Sequence, residues 1–109
     1  MIEFVSASSW RADLGLGAAD QVDRWRTYLE NGVPELWVLN AGVPGAALPP
    51  RSALFCASGE AGWTALPGEG LSFAEGEVHG LRPVQGGRIP SRAVPGLVFD
   101  LDAFWADAL

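Results

Sequence analysis

Residues 19–40 read ADQVDRWRTYLENGVPELWVLN, and this stretch decides the fold because it joins a helix pattern to a strand pattern. Apolar side chains recur at helical spacing in its first half, which predicts a main helix with one apolar face. Asn31-Gly32 suits the left-handed residue that often ends a helix, and Pro34 prevents its continuation. The apolar run 36–39 is bounded by turn residues, so we expect a buried strand covered on both faces. The apolar stripe of the helix comprises Val22, Trp25, Tyr28 and Leu29.

The rest of the chain consists of shorter elements that must pack around this unit. Alternating apolar and polar residues predict strands, and frequent glycine and proline predict turns between them. A helical turn is expected near Trp10, and a loop is expected over 81–95. Asp100 or Asp102 is expected to cap a final helix over 103–109. The predicted strands are 2–6, 52–57, 62–66, 71–75, 77–81 and 96–99.

We therefore predict an α+β fold in a single domain spanning residues 1–109. One main helix packs on a mostly antiparallel sheet of roughly five to six strands, and a short C-terminal helix closes one edge. The chain has 109 residues, of which 49% are hydrophobic, so it can build one core without disulfides or metals. Its single cysteine excludes an internal disulfide.

The net charge of −6 limits the classes of partner. It argues against direct binding of nucleic acid, since phosphate contacts rely on clustered Lys and Arg. It also disfavours an anionic membrane surface, and no apolar run approaches the roughly 20 residues of a spanning helix. The charge favours a basic protein as partner, and a purely solubilising role is the alternative. No signal peptide is apparent, which makes the cytoplasm the expected location.

Reactive side chains are scarce. Cys56 and His79 are the only thiol and imidazole, and they fall on separate predicted strands. The apolar neighbours of Cys56 predict an unreactive core thiol rather than a nucleophile. Two carboxylate pairs could each hold a cation, but a solvated strand face and a helix cap explain them more simply. We therefore expect no catalytic residue, no metal and no cofactor. The carboxylate pairs are Glu75/Glu77 and Asp100/Asp102.

Five tryptophans are the strongest compositional feature. Trp25 and Trp37 belong to the main helix and strand and are expected in the core, whereas the other three lie on short or terminal elements. An exposed Trp beside charged residues is typical of a protein-binding hot spot. The leading hypothesis is a non-enzymatic protein-binding module, such as a bacterial or phage inhibitor or an immunity protein, that binds a basic partner. The expected contact residues are Asp20, Asp23, Glu30 and Glu35, with Trp10 or Trp63 as the apolar anchor.

Two other functions stay open because charge is segregated along the chain. Residues 78–99 contain no acid, yet they hold the histidine and three arginines. This segment could bind an anionic ligand, as in a small enzyme or a ligand-binding protein. It could instead meet the acidic surface of a second copy, as in an assembly subunit of a virion or of secretion machinery. The candidate anion-binding residues are His79, Arg82, Arg88 and Arg92.

Overall fold

The computed structural model describes residues 1–107, which form seven strands and three short helices. The strands are β1 (Ile2–Phe4), β2 (Glu35–Asn40), β3 (Ser52–Gly59), β4 (Gly62–Ala65), β5 (Glu69–Phe73), β6 (Val84–Pro90) and β7 (Val98–Asp100). The helices are α1 (Trp10–Asp13), α2 (Arg24–Glu30) and α3 (Leu101–Asp107). The mixed helix-and-strand class predicted from the sequence is confirmed.

A central antiparallel pair, β2 and β3, organises the sheet. These strands pair along the whole of β2, from Glu35 opposite Ala57 to Asn40 opposite Ser52. On its other side β2 is parallel to β1, which ends the sheet. The second side of β3 is shared, because β4 pairs with its last four residues and β6 meets it at Ala53. Since β6 also pairs with β5 and β7, the sheet curls around this point.

Both faces of the central strands are covered, which confirms the prediction for residues 36–39. Successive side chains of a strand point to opposite faces. Leu36 and Val38 pack in one apolar cluster with residues of α2, whereas Trp37 and Leu39 pack in a second cluster with residues of α3. Every residue of β2 is buried. Trp25 also lies in the core, as expected, and is 8% exposed.

The prediction of one main helix is wrong in its extent. Helix α2 has only seven residues and begins at Arg24, because Asp23 adopts an extended backbone and its carboxylate accepts the backbone N–H of Arg26 at 2.8 Å. This N-cap stops the helix from extending backward. Val22, which the predicted stripe places in the core, is 65% exposed. Three short helices therefore cover the sheet of the described chain.

The predicted loop over 81–95 is also wrong, because residues 84–90 form strand β6. Gly86-Gly87 lowers strand propensity, which hides the strand in the sequence. The structure shows why glycine is present: Gly87 has φ of +117°, and a Cβ there would lie 2.8 Å from Leu71 Cδ2 and 3.0 Å from the Glu69 carbonyl oxygen. Close approach of β5 to β6 requires the missing side chain.

Two smaller predictions also need correction. Residues 77–81 form no strand and hold only an isolated bridge between Val78 and Leu81. Of the two candidate caps for the last helix, Asp100 accepts the backbone N–H of Ala103 at 3.1 Å, so α3 begins at Leu101 rather than at Ala103. Leu109, the last residue of the predicted helix, lies outside the described residues.

No helix within residues 1–107 is both long enough and apolar enough to cross a membrane.

Candidate functional site

Exposed apolar side chains are concentrated at one end of the sheet. Of the nine large apolar residues that the described chain leaves exposed, five lie on β1, directly before it, or on the segment leading into β7. Each of these five is between 45% and 54% exposed. A cluster of this kind marks an interaction surface more often than scattered exposed residues do. We call this surface the β1 face, and it comprises Met1, Ile2, Phe4, Val94 and Leu97.

Pairing of the strands brings these residues together. Ile2 pairs with Trp37 and Phe4 with Leu39, so both side chains lie on the same side of the sheet as α3. The Phe4 ring centroid lies 6.1 Å from that of Phe104 in α3. Ile2 and Leu97 line one shallow depression of about 400 Å³, with Trp37 among its other lining residues. The β1 face is therefore continuous across two segments that are distant in sequence.

The outer edge of β1 adds hydrogen-bonding capacity to this face. Trp37 N–H donates to the Met1 carbonyl at 2.9 Å, and Val5 N–H donates to the Leu39 carbonyl at 3.0 Å. Because backbone groups alternate between the two edges of a strand, those of Ile2 and Phe4 point away from β2. Within residues 1–107, β1 has no second neighbouring strand. An open edge of this kind can pair with a strand from another chain.

A buried carboxylate holds the second segment in place. Glu35 is only 6% exposed. Its carboxylate accepts hydrogen bonds from Trp37 Nε1 at 2.9 Å and Ser91 Oγ at 2.7 Å, and from the backbone N–H groups of Arg92 at 2.8 Å and Ala93 at 3.1 Å. Burial raises the pKa of Glu35, but these four hydrogen bonds outweigh it and leave the pKa below its ordinary value of 4.5. The carboxylate is therefore ionised at neutral pH and fixes the start of residues 91–97 beside β1.

Two of the residues expected to contact a partner are thus in the interior. Glu35 serves the network just described and is not part of an acidic surface. Trp63 is 8% exposed, and its Nε1–H donates to the Trp25 carbonyl at 2.8 Å. Trp10 is half-buried, with the Arg11 guanidinium 4.3 Å above its ring centroid. Strand β4 can bury Trp63 because α2 covers that face of the sheet.

The remaining acidic contact residues lie at the start and end of α2. Asp20 is exposed, whereas Asp23 is occupied as the N-cap. Glu30 lies 3.6 Å from Arg26 in an ion pair along the helix. The N-cap role occupies Asp23, whereas the ion pair of Glu30 is exposed to solvent and leaves this carboxylate accessible.

The comparisons with known proteins add nothing to this geometry. No protein-family model, curated protein or solved structure matches the chain. Functional inference therefore depends on the arrangement of side chains alone.

Cys56 and His79 make separate contacts. Burial raises the pKa of the Cys56 thiol to about 12, so the reactive thiolate is scarce at neutral pH. The His79 ring has Nε2 2.6 Å from the Leu14 carbonyl oxygen and stacks on Trp25 at a centroid distance of 5.1 Å. These contacts tie the turn at residues 78–81 to the helical layer.

Cys56 is expected to resist modification in the folded protein. At pH 7.5 a thiol-specific disulfide reagent should modify it only as fast as the protein unfolds, since the thiol is both inaccessible and protonated. Labelling in urea at the same pH should be complete within the mixing time of a manual assay. Rapid stoichiometric labelling without denaturant would contradict the burial of this thiol.

The structure separates the arginines of the predicted anion site. Val84 and Arg88 are four residues apart on β6, a rise of roughly 13 Å, and Arg82 lies beyond Val84. Arg88 Nε is 3.6 Å from Asp100 Oδ2, whereas the Arg82 guanidinium lies 4.1 Å above the Phe73 ring centroid. They form no single basic cluster.

In the predicted pair Asp100/Asp102 the two carboxylates also have different partners. Asp100 caps α3, while Asp102 accepts the backbone N–H of Gly87 at 3.2 Å. Glu75 and Glu77 are exposed on the turn after β5. Within residues 1–107 no group of three His, Cys, Asp or Glu side chains could hold a metal ion.

The residues of the β1 face are absent from the sequence prediction. Alternation does place Ile2 and Phe4 on one side of a strand and Glu3 and Val5 on the other. It does not indicate which side is covered, because a three-residue strand has no further repeat. The usable signal is that two large apolar residues stand on one side of a short predicted strand, whereas its position at the sheet edge follows only from the sheet order.

Proposed function

We propose that this chain is a small protein-binding module that inhibits or neutralises another protein, and that the β1 face is its contact surface. The observation that carries the proposal is the combination of five half-exposed apolar side chains with an open strand edge. Apolar side chains supply binding free energy when water is excluded, and an open edge supplies oriented hydrogen bonds.

The proposed partner offers an extended apolar segment. Such a segment can add to β1 as a further strand, so that its alternate side chains contact Ile2 and Phe4. Val94 and Leu97 flank the same depression and would cover the partner's side chains. In this binding mode a partner strand adds to the edge of the sheet, and no reactive side chain is required.

The partner is also proposed to be basic. The chain carries a net charge of −6, which attracts a positively charged protein over distances of about one Debye length. Asp20 and other exposed carboxylates contribute to that long-range field without touching the partner. The acidic residues therefore raise the association rate, while the β1 face determines how long the complex lasts.

The proposal is tested by capture of the partner from a lysate of the native cells with immobilised protein. Ile2→Asp and Leu97→Asp place charge in the β1 face, and each is expected to reduce capture of the same protein by at least tenfold. Val22→Asp is the matched control, because Val22 is 65% exposed and lies outside the face. All three variants should unfold at the same urea concentration as the original chain.

Two results would contradict the proposal. One is equal capture by Ile2→Asp, Leu97→Asp and Val22→Asp, which would place the contact elsewhere. The other is concentration-dependent self-association in light scattering that Ile2→Asp abolishes. That behaviour would show the β1 face to be an interface between copies of this chain rather than a surface for another protein.

A further inference from the structure

The curl of the sheet opens a cavity beside β3. Cys56 on β3 pairs with Ala65 on β4, while Ala53 pairs with Val84 on β6. The edge of β3 between these positions is therefore flanked by two diverging strands. A cavity of about 220 Å³ occupies the gap. We call it the fork cavity.

The lining of the fork cavity is almost entirely apolar. Residues from both arms of the fork close it on two sides, and Cys56 is among the residues of β3 that line it. Arg82 is the only charged residue among those that line it. Small-molecule sites typically combine an apolar body with a few placed polar groups.

Arg82 stands at the rim with its donors free. Its guanidinium lies 4.1 Å above the ring of Phe73, which is 41% exposed. Within residues 1–107 it makes no ion pair, whereas Arg24, Arg26 and Arg88 each do. Stacking on an aromatic ring restrains a guanidinium while leaving its N–H edge able to bind a carboxylate with two parallel hydrogen bonds.

Acidic residues next to Arg82 restrict which anions can bind. Glu75 and Glu77 line an open depression together with Arg82, and neither carboxylate lines the fork cavity. Their charges lower the local positive potential, so a small anion without an apolar part gains little at this position. An anion whose tail fills the fork cavity gains apolar burial as well.

We propose that the fork cavity binds a small apolar monocarboxylate, with the tail inside and the carboxylate on Arg82. A cavity of about 150 Å³ holds one benzene molecule, so about 220 Å³ suits a tail of roughly eight to ten non-hydrogen atoms. Medium-chain fatty acids and single-ring aromatic acids have this size. The site is separate from the β1 face, and neither proposal depends on the other.

The test is calorimetric titration of the full chain with octanoate, beside octylamine, octanol and acetate as probes. Octanoate is expected to bind saturably with one site per chain, with a dissociation constant on the order of 0.1 mM for a ligand of this size. The cation, the alcohol and the tailless acid should each bind at least tenfold more weakly. Arg82→Met should weaken octanoate by about tenfold or more, while Arg26→Met, which removes the same charge far from the cavity, should leave it unchanged.

A second variant tests the cavity itself. Ala65 is exposed and lines the fork cavity, so the ring of Ala65→Phe is expected to occupy part of that space at its solvent-exposed margin. It should abolish octanoate binding while leaving the urea midpoint within the error of the original chain. Absence of saturable octanoate binding, or equal affinity for octanoate and octylamine, would overturn the proposal. Unchanged affinity in Ala65→Phe would do so as well.

Discussion

The Glu35→Gln variant is expected to lose about 3 kcal/mol of its free energy of unfolding at pH 7. The buried carboxylate accepts four hydrogen bonds, two of them from backbone N–H groups. An amide of the same size retains one acceptor oxygen and turns an NH₂ group toward N–H or O–H donors. Since the side chain is only 6% exposed, at least one of the indole and backbone N–H donors is expected to lose its hydrogen bond. Urea denaturation followed by circular dichroism measures the loss.

The effect should depend on pH in a defined direction. Burial raises the pKa of Glu35, but the hydrogen bonds from Ser91, Ala93, Arg92 and Trp37 bring it below 4.5 in the folded chain. A carboxyl with a lowered folded-state pKa stabilises the protein fully above its unfolded-state pKa, and this contribution is lost as pH falls through the folded-state value. The difference between the original chain and Glu35→Gln should therefore be constant from about pH 7 to pH 5 and shrink below about pH 4.5.

A matched control separates this network from a general charge effect. Glu60→Gln removes the same charge from an exposed residue of the turn between β3 and β4. It should change stability by less than about 0.5 kcal/mol at any pH. If Glu35→Gln resembles Glu60→Gln at pH 7, the carboxylate does not hold residues 91–97.

The parts of the fold that follow from local pattern were predictable. The run 36–39 predicts a strand covered on both faces, and the structure buries all of β2. Two alternating runs with glycine between them predict the hairpin of β3 and β4. These predictions succeed because apolar periodicity reports burial of an element regardless of what packs on it.

The parts that depend on long-range contacts were not predictable. Glu35 directly follows Pro34 at the end of the turn after α2, which suggests exposure, yet Ser91 and its neighbours satisfy the carboxylate from 56 to 58 positions away. Strand β6 is hidden by Gly86-Gly87, whose missing side chains serve the approach of β5 and α3. No window of the sequence contains both partners of such contacts.

The residues of the candidate site were likewise predictable only in part. Alternation in residues 2–5 identifies two sides of a strand, but only the sheet order shows that β1 is at the edge and that the Ile2–Phe4 side extends beyond α3. The acidic residues of α2 are visible in the sequence, whereas the N-cap role of Asp23 and the Arg26–Glu30 ion pair depend on where the helix begins. Predicting which side chains form a contact surface therefore requires the exact ends of the helices and strands, and sequence patterns define these ends least well.

The Trp63→Ala variant is expected to lose about 4 kcal/mol of its free energy of unfolding. The indole is 8% exposed, packs edge-on against Trp25 at a centroid distance of 6.1 Å, and donates Nε1–H to the Trp25 carbonyl. Truncation leaves a cavity between β4 and α2 and removes this hydrogen bond. Urea denaturation should show a lower midpoint with an unchanged slope.

Two further substitutions show whether the loss of stability in Trp63→Ala comes from removing a buried ring. Trp63→Phe keeps most of the ring volume and loses the hydrogen bond, so it should cost about 1 to 2 kcal/mol. Trp10→Ala removes the same side chain from a half-buried position and should cost less than Trp63→Ala. If Trp63→Ala instead keeps its stability and loses partner capture, Trp63 belongs to the contact surface after all. If the amount of partner captured by Trp63→Ala falls only as far as its folded fraction falls, Trp63 belongs to the core. The β1 face then stays the proposed contact surface.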